Sequence, residues 1–152
     1  MGIRRATDDD LASVVDLVER AYAPWIERIG RRPVPMDSDY AALIAAGQVH
    51  LLDERGRTVG IVIVRDLGDH LVVDNVAVDP DHQGRGHGRA LLAFAERRAA
   101  ELGLAELRLY THALMTENIA LYRSLGWRDY DRHSERGFPR VYFRKRVPAP
   151  SA

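Results

Sequence analysis

The stretch Leu71–Leu92, LVVDNVAVDPDHQGRGHGRALL, restricts the possible folds of this 152-residue chain more than any other. Val72, Val73, Val76 and Val78 make a β-branched run that predicts a strand. Pro80 has no N–H to offer a ladder, so Asp79-Pro80-Asp81 ends that strand. Gly84, Gly86 and Gly88 then alternate with other residues and lead into a helix beginning near Gly88. Glycine reaches backbone angles that a Cβ forbids and puts no side chain between backbone and ligand. With its amides turned inward and the positive end of a helix dipole behind them, such a loop suits an anion, a phosphate or pyrophosphate.

Two common phosphate loops do not fit. A Walker-type loop needs Lys-Ser/Thr after its last glycine, and Gly88 is followed by Arg89-Ala90; the dinucleotide fingerprint needs a third glycine where Arg89 or Leu91 stands. An ordinary glycine-rich strand-to-helix turn is the plain alternative. Gln83-Gly84-Arg85-Gly86-His87-Gly88, following Val76-Ala77-Val78, resembles the pyrophosphate loop of the GNAT-type N-acetyltransferases, Gln/Arg-x-x-Gly-x-Gly/Ala after a Val-Ala-Val-like strand end. A second segment, Asn118-Ile119-Ala120-Leu121-Tyr122-Arg123-Ser124-Leu125-Gly126-Trp127, resembles that family's Asn-x-x-Ala-x-x-x-Tyr-x-x-x-Gly-Phe pattern. Tyr122 stands one residue early, and Trp127 replaces the Phe.

Composition removes other classes. Lys plus Arg equals Asp plus Glu, 22 each, so no overall basic field points to nucleic acid. No apolar run approaches spanning length, and MGIRRATDDD lacks a signal-peptide core, so a cytoplasmic protein with no membrane partner is expected. The chain has no cysteine, which excludes disulfides, thiolate metal sites and a cysteine acyl-enzyme. No His/acid spacing suits zinc, and no metal is expected.

In order, Gly2–Arg5 reads as a strand, Thr7 as a helix cap, and Leu11, Val14, Val15, Val18 and Tyr22 as one helical face closed by Pro24. Pro33 and Pro35 predict an extended path over 24–37, where Trp25 and Ile26 either cover the core or touch substrate. Asp37 or Ser38 is expected to cap a short helix ending at Gly47. Strands 48–53 and 58–65 flank a hairpin connection, 54–57. Leu91, Leu92, Ala95, Ala99 and Leu102 mark the helix after the glycines, with Gly103 ending it and a strand at 105–111. Strand, helix, strand is a crossover, so 71–78 and 105–111 are expected to be parallel. A helix from Thr116 and strands 127–132 and 140–146, joined by a loop with Gly137 and Pro139, complete one domain over 1–147; 148–152 reads as a frayed tail.

The GNAT resemblance covers nearly the whole element order. It implies an α/β (α+β) fold, a mixed, mostly antiparallel sheet of about seven strands with a central parallel pair, flanked by about four helices. It implies acetyl-CoA as co-substrate. Val76, Ala77 and Val78 would pair with the pantetheine arm, and an amide of Val76 or Ala77 would polarise the thioester carbonyl. Amides of Gln83, Gly84, Arg85, Gly86, His87 and Gly88 would take the pyrophosphate, with charge from Arg85 and Arg89, unless those arginines form a solvated helix face. Tyr122 matches the family's general acid, Asn118 a contact to the CoA arm. Asp74, a charge inside an apolar strand, is either the base or half of an ion pair with an arginine. His70 and His112 are possible proton relays. The function implied is direct acetyl transfer to a primary amine, expected to be a small molecule; a protein N-terminus or lysine as acceptor, and a non-catalytic acyl-CoA-binding regulatory module, are the alternatives. A homodimer is a family-level possibility.

Overall fold

A computed structural model describes residues 2–147; the expected tail lies outside the described residues. Its elements are β1 (Gly2–Arg5), α1 (Leu11–Ile29), α2 (Tyr40–Ala45), β2 (Val49–Glu54), β3 (Arg57–Asp66), β4 (Leu71–Val78), α3 (His87–Glu101), β5 (Glu106–His112), α4 (Thr116–Ser124), β6 (Arg128–Glu135) and β7 (Phe138–Arg146). Strand order is β1-β2-β3-β4-β5-β7-β6. The expected parallel pair is present, Leu71 opposite Leu107 and Val73 opposite Leu109. The pairs β1–β2, β2–β3, β5–β7 and β6–β7 are antiparallel. Among the described residues, no helix is long and apolar enough to cross a membrane. The chain divides into two compact units, Met1–Val64 with Asn75–Phe94, and Arg65–Asp74 with Ala95–Ala152.

In the first unit, Asp10 accepts the Thr7 amide at 2.8 Å, and a 3-10 turn over Asp8–Asp10 runs into α1. Val14, Leu17, Val18 and Ala21 form the buried face of α1 and share a core with Leu51, Ile61, Ile63 and Ala77. Pro24 does not close this helix. It lies inside α1, which continues to Ile29 and ends at Gly30 with φ +90°. Ring insertion costs one i→i−4 bond, but Ile26, beyond it, packs on the same core and keeps the helix running. The extended path expected over 24–37 is therefore helical up to residue 29 and turns again as a 3-10 segment at Val34–Asp37, where Met36 is buried. The cap of α2 is Asp39 rather than Asp37 or Ser38, its carboxylate accepting the Ala42 amide at 3.1 Å. Arg55 and Gly56, both at positive φ, make a two-residue turn between β2 and β3.

In the second unit, β5 buries Leu107, Leu109 and Thr111, and β7 buries Val141 and Phe143. The final hairpin is tighter than expected. Arg136 and Gly137, both at positive φ, form a two-residue turn, and Pro139 lies within β7 opposite Ser134. Glu135 and Phe138 close the turn, so the Pro139 backbone faces away from β6, and its carbonyl accepts the Ala113 amide at 2.9 Å. A missing N–H there breaks no rung to β6. β6 is exposed along its whole length and protected as an edge by its charges.

Candidate functional site

Backbone direction at the end of β4 sorts its residues. The Asp79 amide donates to Val59 O at 2.8 Å, so Asp79 and, two residues earlier, Ala77 turn their backbone groups toward β3. Val76 and Val78 point theirs the other way. Side chains alternate too: Asn75 and Ala77 are buried, Val76 and Val78 half-buried.

After Val78 the chain makes a 3-10 turn at Pro80–His82, opened by the Asp79 carboxylate accepting the Asp81 amide at 2.9 Å. Gln83 Nε2 donates to Val78 O at 3.3 Å, tying the loop back to the strand. Gly84 and Gly86 have φ of +79° and +83°, and a Cβ on either would meet no atom within 4 Å. Their role is thus conformational, with open space beside the backbone. Gly88 is the second residue of α3, in line with the helix expected to begin near it, and the left-handed glycines of the loop are Gly84 and Gly86. The first α3 bond runs from the Ala90 amide to Gly86 O at 3.0 Å. The amides of His87, Gly88 and Arg89 precede it and have no intrahelical acceptor.

Near the loop, Glu54 at the end of β2 approaches three of its side chains. Glu54 Oε2 lies 3.4 Å from His87 Nε2, 3.9 Å from Arg85 Nη1 and 4.0 Å from His82 Nε2. His87 is buried. Arg89 is exposed on the first turn of α3. Asn75 joins three elements: Tyr22 OH donates to its Oδ1 at 2.5 Å, its Nδ2 donates to Tyr40 OH at 3.2 Å, and Tyr40 OH donates to Pro35 O. Burial raises Tyr40 to about 12, so the hydroxyl stays a neutral donor. Glu54 and Asn75 went unnoticed in the sequence; an Asn within the valine run was their one visible signal.

The second unit holds the other residues singled out. Asp74 is engaged by Arg65, Nη2 donating to Oδ1 at 3.0 Å and Nε to Oδ2. Those hydrogen bonds raise the Arg65 pKa. The carboxylate in the apolar strand thus has an arginine partner, one of the two readings its position allowed. Tyr122 is buried on α4, its ring 5.6 Å from Phe143 and 6.2 Å from Trp127, and burial raises its hydroxyl to about 12. Asn118, one turn earlier, places Nδ2 3.6 Å from Met115 Sδ. His112 Nδ1 accepts the Leu114 amide at 3.1 Å, and His70 Nδ1 lies 2.6 Å from Asp69 Oδ1. Both histidines have local partners.

A family model, "Acetyltransferase (GNAT) family", matches residues 13–127, spanning both motifs. The chain belongs to this GNAT family. Within it, the chain is 32% identical over 124 residues to the [ribosomal protein bS18]-alanine N-acetyltransferase of Escherichia coli K12, covering 79% of this chain and 76% of that protein. It is 34% identical over 88 residues to the mycothiol acetyltransferase of Nocardiopsis dassonvillei, covering 58% of this chain and 26% of that protein, so it spans about a quarter of that relative. Among solved structures, the PaiA N-acetyltransferase of Thermoplasma acidophilum in complex with coenzyme A is similar in fold, with TM-score 0.80 and 15% identity over 93% of this chain and 96% of that one. This GNAT chain thus shares that fold, a seven-stranded mixed sheet with the parallel pair β4–β5.

Proposed function

We propose that this chain transfers an acetyl group from acetyl-CoA to a primary amine by direct attack in a ternary complex. The observation that carries the reading is the loop Gln83–Gly88, where two left-handed glycines border open space and the first amides of α3 have no intrahelical acceptor, directly after the strand that would bind the thiol arm. Those amides and Arg85 and Arg89 take the pyrophosphate. Val76 and Val78, whose backbone groups point away from β3, pair with the pantetheine arm, and the Val76 amide polarises the thioester carbonyl. The amine nitrogen attacks that carbonyl carbon, the C–S bond breaks, and the leaving thiolate takes a proton from Tyr122. A tyrosine raised to about 12 is protonated at neutral pH and available as that acid. Asn118 supports the CoA arm. Since Arg65 engages Asp74, this reading gives Asp74 a positioning role on β4 and lets water take the amine proton.

A small amine is the acceptor proposed first. A protein α-amine is the second reading, favoured by the E. coli relative that is named for acetylating an alanine of a ribosomal protein. Calorimetric titration of acetyl-CoA into the full chain tests the donor site, with Gly86→Glu and Arg89→Glu alongside. Gly86→Glu is strained at φ +83°, so the Arg89 variant separates lost affinity from a disturbed loop. Binding that falls in both supports the site; no binding to the unaltered chain overturns it. Thiol release with an amine panel and an alanine-initiated peptide then distinguishes the acceptors.

A further inference from the structure

The register of the last three strands aligns like charges. Arg108 stands opposite Arg144, and Arg144 opposite Arg128, so three guanidiniums share one row across β5, β7 and β6. Directly opposed like charges repel. A bulge between Asp129 and Asp131 sets Tyr130 out of the ladder, and its ring, 43% exposed, turns to the same face, 6.3 Å from Tyr142. Arg144 and Arg108 lie over the Tyr130 ring at 5.6 and 5.9 Å.

Nearby carboxylates are already used. Glu106 holds Arg108 at 2.6 Å, Glu135 lies 3.7 Å from Arg140, and Asp131 lies 3.1 Å from His133. Arg128 and Arg144 have no carboxylate partner among the described residues. From 128 to 146 the chain carries seven Arg and Lys against three Asp and Glu, although its net charge is zero.

We propose that this row is a docking surface for an acidic polypeptide segment of a partner protein, whose carboxylates pair with Arg128 and Arg144. A guanidinium resting on an aromatic ring keeps its N–H fork at the ring's edge, the arrangement that grips a carboxylate with two bonds. Bases of a single-stranded nucleic acid need bare aromatic faces. Here Tyr130 lies under two arginines, Tyr110 under Arg140 at 4.1 Å, and Tyr142 under His133, stacked at 4.3 Å. The surface lies within one unit and does not depend on the acetyl-transfer reading.

Fluorescence anisotropy of a labelled Asp/Glu peptide titrated with the full chain tests the surface. Binding that weakens as salt rises, and that drops at least about tenfold in Arg128→Glu/Arg144→Glu, is expected. Arg97→Glu, on an exposed position of α3, serves as a charge-reversal control away from the row and should leave binding nearly unchanged. Absence of peptide binding overturns the proposal. So does an equal loss in the Arg97 variant, or oligouridine binding more tightly than the peptide.

Discussion

Arg20 holds Asp79 with both guanidinium branches, at 2.5 and 2.8 Å, where β4 gives way to the glycine loop. Asp79 is fully buried. Burial alone would raise its carboxyl pKa, but the Arg20 hydrogen bonds and the Asp81 amide outweigh burial and hold it below the usual value. Arg20→Ala removes the bidentate partner of a buried carboxylate, leaving it the Asp81 amide and Arg57 at 3.9 Å, and is expected to destabilise the chain by about 3 kcal/mol, the low end for broken buried pairs because Arg20 is partly exposed. A depressed carboxylate contributes stability above its unfolded pKa of about 3.9 and loses it as pH falls through the folded value. Urea unfolding of both proteins should therefore differ most at neutral pH and converge below about pH 4.

Asn75 is the shared partner of Tyr22 and Tyr40, residues 53 and 35 positions away. Asn75→Ala removes the acceptor and donor between two largely buried hydroxyls. A loss of about 1–3 kcal/mol is expected, read as a lower midpoint in denaturant without a changed slope. Asn75→Asp should be no better, because Nδ2 is the donor to Tyr40.

Tyr122 makes ring contacts with Trp127 and Phe143 that phenylalanine would keep. Tyr122→Phe is expected to preserve folding and acetyl-CoA affinity while lowering kcat about 100-fold, the lower range for a general acid. With its hydroxyl raised to about 12, Tyr122 stays protonated through the working range, so no fall in kcat from its ionisation should appear below about pH 11. An unchanged kcat in the variant would sink the proposed acid.

Asp74 separates two roles by one substitution. As the partner of Arg65 on a half-exposed face, Asp74→Asn should cost about 1 kcal/mol or less of stability. If positioning is its contribution, kcat changes by less than about tenfold and the pH at half-maximal kcat/KM stays in place. A pH–rate profile losing its acidic limb in the variant would instead make Asp74 the base.

The glycine loop, the crossover that makes β4 and β5 parallel, and the helix α1 were legible in the sequence, although the buried face of α1 runs through Leu17 and Ala21 rather than the expected Val15, which is exposed. Each depends on neighbours within a turn or a strand: glycine conformational freedom at 84 and 86, valine runs, helical spacing from Leu11 to Tyr22. The course past Pro24 was not legible, because local rules end a helix at proline while core contacts from Ile26 continue it. Gly60 is similar: a Cβ there would lie 3.0 Å from Leu91 Cδ1, a close approach that only the packing of α3 on β3 creates. The Arg20–Asp79 pair, the Asn75 chain, the approach of Glu54 to the loop and the arginine row across β5, β7 and β6 likewise belong to the tertiary structure. Their partners stand far apart in the chain or depend on strand register, and a one-residue slip would send each side chain to the opposite face. Local conformation follows from the chemistry of adjacent residues; the choice of a distant partner follows from how the elements bury their apolar faces.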